Sequence, residues 1–218
     1  MCGENFGNET GADEFLLDTK TVRDFIAHVR EEISHSSGPE DAIENIKPAF
    51  SRLLEDDGWL PEKYRSPAPE SGMGGGIGQW LIFRSGLRDL SLFALVVPSG
   101  SETPVHDHLA WGLIGLYEGE QKETVFARED EEAPVVEREK LSVAFTRSVE
   151  RGDFYPLLPP TDDVHKVETT SGEPSVSIHL LANDTGCVWR HAFDPETSEV
   201  RPFRSGYVNR ECGEEEAF

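Results

Sequence analysis

Two histidines stand one residue apart in Pro104-Val105-His106-Asp107-His108. The run around them, Val105 and then Leu109 to Leu116, has the apolar character of a strand. Side chains at i and i+2 of a strand share a face. Both imidazoles can therefore reach one point in space, which is what a metal ion requires. A pair of surface histidines on a strand edge would show the same spacing, so the rest of the chain has to decide. His165 lies in Val164-His165-Lys166-Val167, and His179 in Ser177-Ile178-His179-Leu180. Alternation puts Ser177 and His179 on one face. Four histidines on three strands of one small β-domain can converge inside a barrel.

The elements that must position them begin at Gly78. Short apolar runs recur at turn-punctuated intervals: 79–84, 90–97, 104–106, 111–117, 121–127, 141–145, 153–157, 164–169, 175–181 and 187–193. That spacing predicts an all-β sandwich or barrel over 79–207. The charged stretch Arg128 to Arg138 reads as a solvated hairpin loop. Before the strands lies a helical segment, 1–60, expected to pack on the barrel, with its first twelve residues loose. Thr19 or Thr21 can cap a helix running to Ser34 or His35, with Val22, Phe25, Ile26 and Val29 on one face. A second helix starts near Glu40 on the stripe Ile43, Ile46, Phe50, Leu53 and Leu54, and Pro48 is expected to kink or divide it. Residues 61–78, rich in Pro, Gly and Ser, read as a loop or linker. Residues 208–218 read as an acidic, frayed tail.

Bulk composition narrows the partners. The chain has 218 residues, 42 Asp+Glu against 20 Lys+Arg, and a formal net charge of −22. Nucleic acid and anionic membrane are repelled by such a surface. A dispersed acidic surface poor in Lys fits a protein that stays soluble in high salt. The chain has no apolar run long enough for a membrane helix. The acidic start MCGENFGNETGADEF is unlike a signal peptide. Cys2, Cys187 and Cys212 fit no zinc spacing and no disulfide framework, which points to a reducing cytoplasm.

The segments TPVHDHLAWGLIGLYEGE, Gly152…Pro160…His165 and SVSIHLL, within about residues 80–193, resemble the cupin superfamily. More narrowly they resemble the cysteine-dioxygenase-type thiol dioxygenases. The resemblance implies a mainly β, double-stranded β-helix (cupin) barrel holding a non-haem Fe(II) through His106, His108 and His165. Many cupins place a glutamate four or five residues after the second histidine. Gly112 and Leu113 stand there, which favours the three-histidine group and excludes a Cys crosslink at that place. In that group Ser-x-His-x-Tyr supplies a hydrogen-bond relay. Ser177 and His179 match and carry the catalytic assignment; Leu181 replaces the tyrosine, leaving Tyr155 or Tyr117 to supply a hydroxyl from another strand.

The resemblance also implies an arginine that grips a substrate carboxylate, since guanidinium matches carboxylate in a bidentate way. Arg84 fits the cysteine-type pattern and Arg190 the 3-mercaptopropionate type, and HDHLAWGLIG favours Arg190. Trp111 and Trp189 are expected to line the pocket. The implied reaction joins both atoms of O2 to the sulfur of a small thiol carboxylate, 3-mercaptopropionate or cysteine. The alternatives are another metal-dependent cupin enzyme and a non-catalytic metal- or ligand-binding cupin. Oligomeric state is not legible in the chain.

Overall fold

A computed structural model of the chain describes residues 11–68, 72–129 and 138–213. Helix α1, Lys20–His35, is capped by Thr19, whose side-chain oxygen accepts from Val22 N at 3.3 Å. It buries the expected face of Val22, Phe25, Ile26 and Val29. Helix α2, Pro39–Glu55, starts with Pro at its first turn, where a missing N–H costs nothing. Pro48 lies inside α2 and does not divide it. The helix stays continuous because Ile43, Ile46, Phe50, Leu53 and Leu54 are all buried against the barrel.

Among the described residues the strands form two six-stranded sheets. The first holds β1 (Glu14–Phe15), β2 (Gly78–Arg84), β3 (Ser91–Val97), β10 (Ser175–Leu181), β5 (Gly112–Glu118) and β8 (Phe154–Leu157), in that spatial order. The second runs β12 (Val200–Phe203), β11 (Arg190–Phe193), β4 (Val105–His106), β9 (Val164–Thr169), β6 (Glu120–Arg128) and β7 (Leu141–Glu150). Every pairing is antiparallel. From β3 to β11 the chain passes from one sheet to the other at each connection except β6–β7. That winding is a double-stranded β-helix, the cupin barrel, with two helices at its N-terminal side.

Each strand of the first sheet has two buried faces. Leu92, Ala94, Val96, Ile178 and Leu180 face the helices, whereas Phe93, Leu95, Val97 and Leu181 face the barrel interior. Helix α2 approaches the sheet at Gly115. A Cβ there would lie 2.5 Å from Leu54 Cδ1 and 2.8 Å from Phe50 Cε1, so only glycine admits the helix.

Several expectations are corrected. Residues 207–213 are not a frayed tail. Asn209 bonds both the N–H and the C=O of Leu81, and Val208 N donates to Gln79 O at 2.8 Å. Cys187 and Cys212 form a disulfide across 25 residues, which removes the cysteine argument for a reducing compartment. Sequence spacing could not find it, because the fold, not the chain, brings the two together. The stretch 61–78 is more than a linker: Glu62–Arg65 is a 3-10 turn, and buried Tyr64 donates to Leu16 O at 2.6 Å. Residues 1–10, 214–218 and the centre of the Arg128–Arg138 loop lie outside the described residues. Among the described residues, no helix is long and apolar enough to cross a membrane.

Candidate metal centre

Strand β4 covers only Val105 and His106, so His108 does not reach the interior by strand alternation. A turn delivers it instead. The Asp163 carboxylate accepts from His108 N at 2.9 Å and from Leu109 N at 3.3 Å, and Leu109 takes a left-handed φ of 54°. His106 pairs directly with His165 across the β4–β9 ladder. The result is a buried trio: the ring nitrogens of His106, His108 and His165 lie within 4.8 Å of one another. Their ring centroids are separated by 4.8–5.2 Å.

Each ring has its Nδ1 already engaged by an acceptor. His106 Nδ1 lies 2.8 Å from Pro104 O, His108 Nδ1 3.3 Å from Asp163 O, and His165 Nδ1 2.6 Å from Glu123 Oε1. Such partners place the ring proton on Nδ1 and leave the Nε2 lone pair for a metal. Burial first, then the charge of Arg190 and the neighbouring histidines, pushes the His106 and His108 pKa values well below the ordinary range. Imidazole nitrogens converging in a buried site are what a first-row divalent ion needs, so the donor set fits one.

Glu123 was not legible as a site residue. It sits on β6, where Gln121, Glu123 and Val125 point inward and Lys122 and Thr124 point outward. The run 121–127 was expected as a strand, but the inward positions of β6 include the polar Gln121 and Glu123, and nothing in the run marked Glu123 as facing the histidines. The inward Glu123 touches His165 on one oxygen and Arg147 Nε on the other. Burial alone would raise its carboxyl, but the His165 and Arg147 contacts outweigh burial and hold it below the usual range. Asp163 was also missed. Burial pushes its carboxyl up, against the backbone N–H groups it accepts from.

His179 stands beside the trio without joining it. Its Nε2 lies 3.0 Å from Ser177 Oγ, and its ring stacks on Phe93 at 4.7 Å. Its buried Nδ1 has no hydrogen-bond partner among the described residues. Leu181 packs with Phe93, Ile114 and Tyr155 in the interior. Of the two tyrosines, Tyr117 faces the helices and donates to Asp56 O, so it cannot serve the interior. Tyr155 is interior, but its ring lies 3.8 Å under the Arg147 guanidinium and so belongs to the Glu123 side.

The two arginines separate cleanly. Arg84 is tied to Asp184 at 3.2 Å and Glu14 at 2.8 Å, both carboxylates, in the wall at the end of β2. Arg190 comes to the histidines. Nη1 donates to Asp107 O at 2.6 Å, Nη2 to Ser205 Oγ at 2.9 Å and Nε to Thr185 O at 3.4 Å. Asp107 also anchors the strand behind it, accepting from His191 N at 2.8 Å. Trp111 does not line this space: it packs against the helix-side core, because residue 111 precedes Gly112 on the outer register of β5. Trp189 lies under the Arg204 guanidinium at 4.7 Å. A cavity of about 330 Å³ bounded by Met73, Ile77, Gln79, Ser205 and Tyr207 opens next to Arg190, sharing Ser205 with it.

No family model matches the chain. Among solved structures it is similar to an uncharacterized conserved protein with a double-stranded β-helix domain from Klebsiella pneumoniae, at 13% identity over 60% of this chain and 88% of that one, TM-score 0.42. It is also similar to a Lactobacillus farciminis oxalate decarboxylase, at 18% identity over 53% of this chain and 31% of that one, TM-score 0.40. An oxalate oxidase matches at 16% identity over 45% of this chain and 44% of that one, TM-score 0.36. The chain thus spans less than half the length of these two enzymes.

Proposed function

We propose that this chain is a metal-dependent thiol dioxygenase acting on a small thiol carboxylate, 3-mercaptopropionate before cysteine. The observation that carries the reading is Arg190. It is fully buried beside the three histidines, and among the described residues no carboxylate lies within 4.0 Å of it. Burial pulls its pKa from 12.5 down to about 10, so it remains a cation near neutral pH. A buried cation without a counter-ion is costly unless a ligand supplies the anion. Its guanidinium has donors left over after the three contacts above.

His106, His108 and His165 would hold Fe(II), which when bound supplies a meeting point and an electron path between thiolate sulfur and O2. The chain's own residues do the rest. Arg190 orients the carboxylate end, and the Asp107 carbonyl and Ser205 hydroxyl keep its fork aimed. Ser177 and His179 stand as a hydrogen-bonding pair at the wall. Phe93, Leu95 and Leu181 exclude water. The overall change, RS⁻ + O2 → RSO2⁻, needs no further reductant.

The test is anaerobic Fe(II) loading followed by O2-uptake and sulfinate detection with 3-mercaptopropionate, cysteine and cysteamine. Thiol-dependent O2 consumption with sulfinate as product is expected. Absence of any thiol dependence sinks the reading. It would then favour a metal-dependent cupin enzyme of another kind, a reading that Leu181 in place of a relay tyrosine supports. We also read the −22 charge as salt adaptation.

A further inference from the structure

The three histidines are not equivalent. His106 gives its Nδ1–H to a backbone carbonyl, and His108 Nδ1 faces the Asp163 carbonyl at 3.3 Å with the Asp163 carboxylate farther off at 3.5 Å, whereas His165 Nδ1 meets the Glu123 carboxylate directly at 2.6 Å. We infer that Glu123 is a positioning residue for the metal centre, supplying through the His165 ring the negative charge that the inner ligand set lacks. This rests on the reading of His106, His108 and His165 as metal ligands. Glu123 and His165 are each about 1% exposed, so water does not screen the contact. At 2.6 Å the carboxylate fixes the tautomer and ring plane of His165 and raises the donor strength of its Nε2.

The carboxylate is itself held from outside. Glu123 and Arg147 are cross-strand partners on the β6–β7 ladder, so the hairpin register sets their contact. The Arg147 guanidinium lies over the Tyr155 ring at 3.8 Å, and its Nε donates to the second Glu123 oxygen. One element thus runs from the edge strand β7 through β6 to a ligand on β9. The position four or five residues after His108, Gly112 or Leu113, offers no carboxylate; Glu123, on a different strand, acts in its place at one remove, through an imidazole ring.

The test is Co(II) binding by competition with a chromophoric chelator, together with the Co(II) absorption spectrum. The variants are Glu123→Gln, Arg147→Met and His165→Ala. Glutamine keeps size and an acceptor oxygen but removes the charge. Glu123→Gln is expected to weaken Co(II) binding roughly 10- to 100-fold, the range for lost outer-shell partners. Its absorption bands should shift in energy at unchanged strength, a sign of a weaker donor in the same geometry. Binding within about twofold of the parent chain, with unshifted bands, overturns the inference. If Glu123→Gln does not fold, Arg147→Met decides. It leaves the carboxylate charged but unaimed, so a loss of roughly three- to tenfold is expected, and no loss overturns the inference. The parent chain and His165→Ala report on the metal reading separately. A parent that binds no Co(II), or His165→Ala that binds as tightly, would overturn that reading and this inference with it.

Discussion

Arg84 and Arg190 are both about 1% exposed, but they are neutralised in opposite ways. Arg84 meets two carboxylates, Asp184 on the 182–187 loop and Glu14 on β1, and so ties three distant parts of the chain together. Arg190 meets two carbonyls and a hydroxyl, all neutral. Its nearest carboxylates, Asp107 and Asp163, act on it only through space. The difference separates structure from function better than burial or residue type does. A buried arginine with its counter-ions built in is a fastener. One that is oriented on neutral acceptors is still short of a negative charge, which in the proposed function the substrate carboxylate supplies.

The largest expected effect lies on the fastener. Arg84→Met removes the buried partner that Asp184 and half-buried Glu14 share. Removing one partner of a buried pair costs about 3–5 kcal/mol. Arg88 still reaches Asp184 and Arg210 still reaches Glu14, so the lower end, about 3 kcal/mol, is expected. Arg190→Met orphans no carboxylate, and relief of an unpaired buried cation offsets its lost hydrogen bonds; a change within about 1 kcal/mol is expected. Urea unfolding of the two variants is the check, and equal losses would erase the distinction.

Activity should reverse the ranking. In Fe(II)-loaded chain, Arg190→Ala should lower kcat/KM for 3-mercaptopropionate by roughly 100-fold or more, since a desolvated charge-assisted contact is worth a few kcal/mol. Cysteamine, which has no carboxylate, should lose little. Leu181 leaves an apolar wall, so thiol carboxylates of several chain lengths belong in the panel. Equal losses for both thiol classes would make Arg190 structural, and a selective loss in Arg84→Met would move the carboxylate site there. Arg190→Lys should recover only a fraction of the loss. It restores charge but not the planar fork that Asp107 O and Ser205 Oγ hold. Full recovery would mean that charge alone matters.

These contrasts also show what the chain discloses before it is folded. The barrel was legible because strand alternation and turn spacing are local: β9 and β10 fall where the apolar runs lie, 164–169 and 175–181. His106 and His165 were legible for the same reason, whereas His108 comes in on a turn held by Asp163 that strand alternation did not foresee. Strand β12 was not, because Val200-Arg201-Pro202-Phe203 is short and holds a proline, yet it covers β11 at the sheet edge. The choice between the arginines was only half legible. Arg84 and Arg190 each follow an apolar run, and their counter-ions lie 70 to 100 residues away for Arg84. Glu123 was hidden by its own polarity. A glutamate among Gln121, Lys122 and Thr124 reads as solvent-facing until the β6–β9 register turns it toward His165. Pairings of that kind are set by tertiary register, which no single-chain periodicity contains.

The smallest effect concerns salt, and it sharpens the same contrast. With −22 formal charge the folded chain repels itself, and the repulsion is screened as the Debye length falls from about 14 Å near 0.05 M to about 3 Å at 1 M KCl. The melting temperature should therefore rise by a few degrees across that range. Exposed pairs such as Lys20–Asp24 and Arg23–Asp18 weaken in the same salt, but exposed pairs contribute little to begin with, so their loss does not cancel the gain. The Arg84–Asp184 pair is different: both side chains are at most 2% exposed, and mobile ions cannot enter between them. The melting curve of Arg84→Met should thus rise in parallel with that of the parent chain, the gap between them unchanged from low to high salt. A gap that closes with salt would mean that Arg84 is screened like a surface cation and that the fastener is softer than its burial implies. A flat or falling parent curve would instead count against salt adaptation of the acidic surface, leaving the arginine contrast to stand on the unfolding and kinetic measurements.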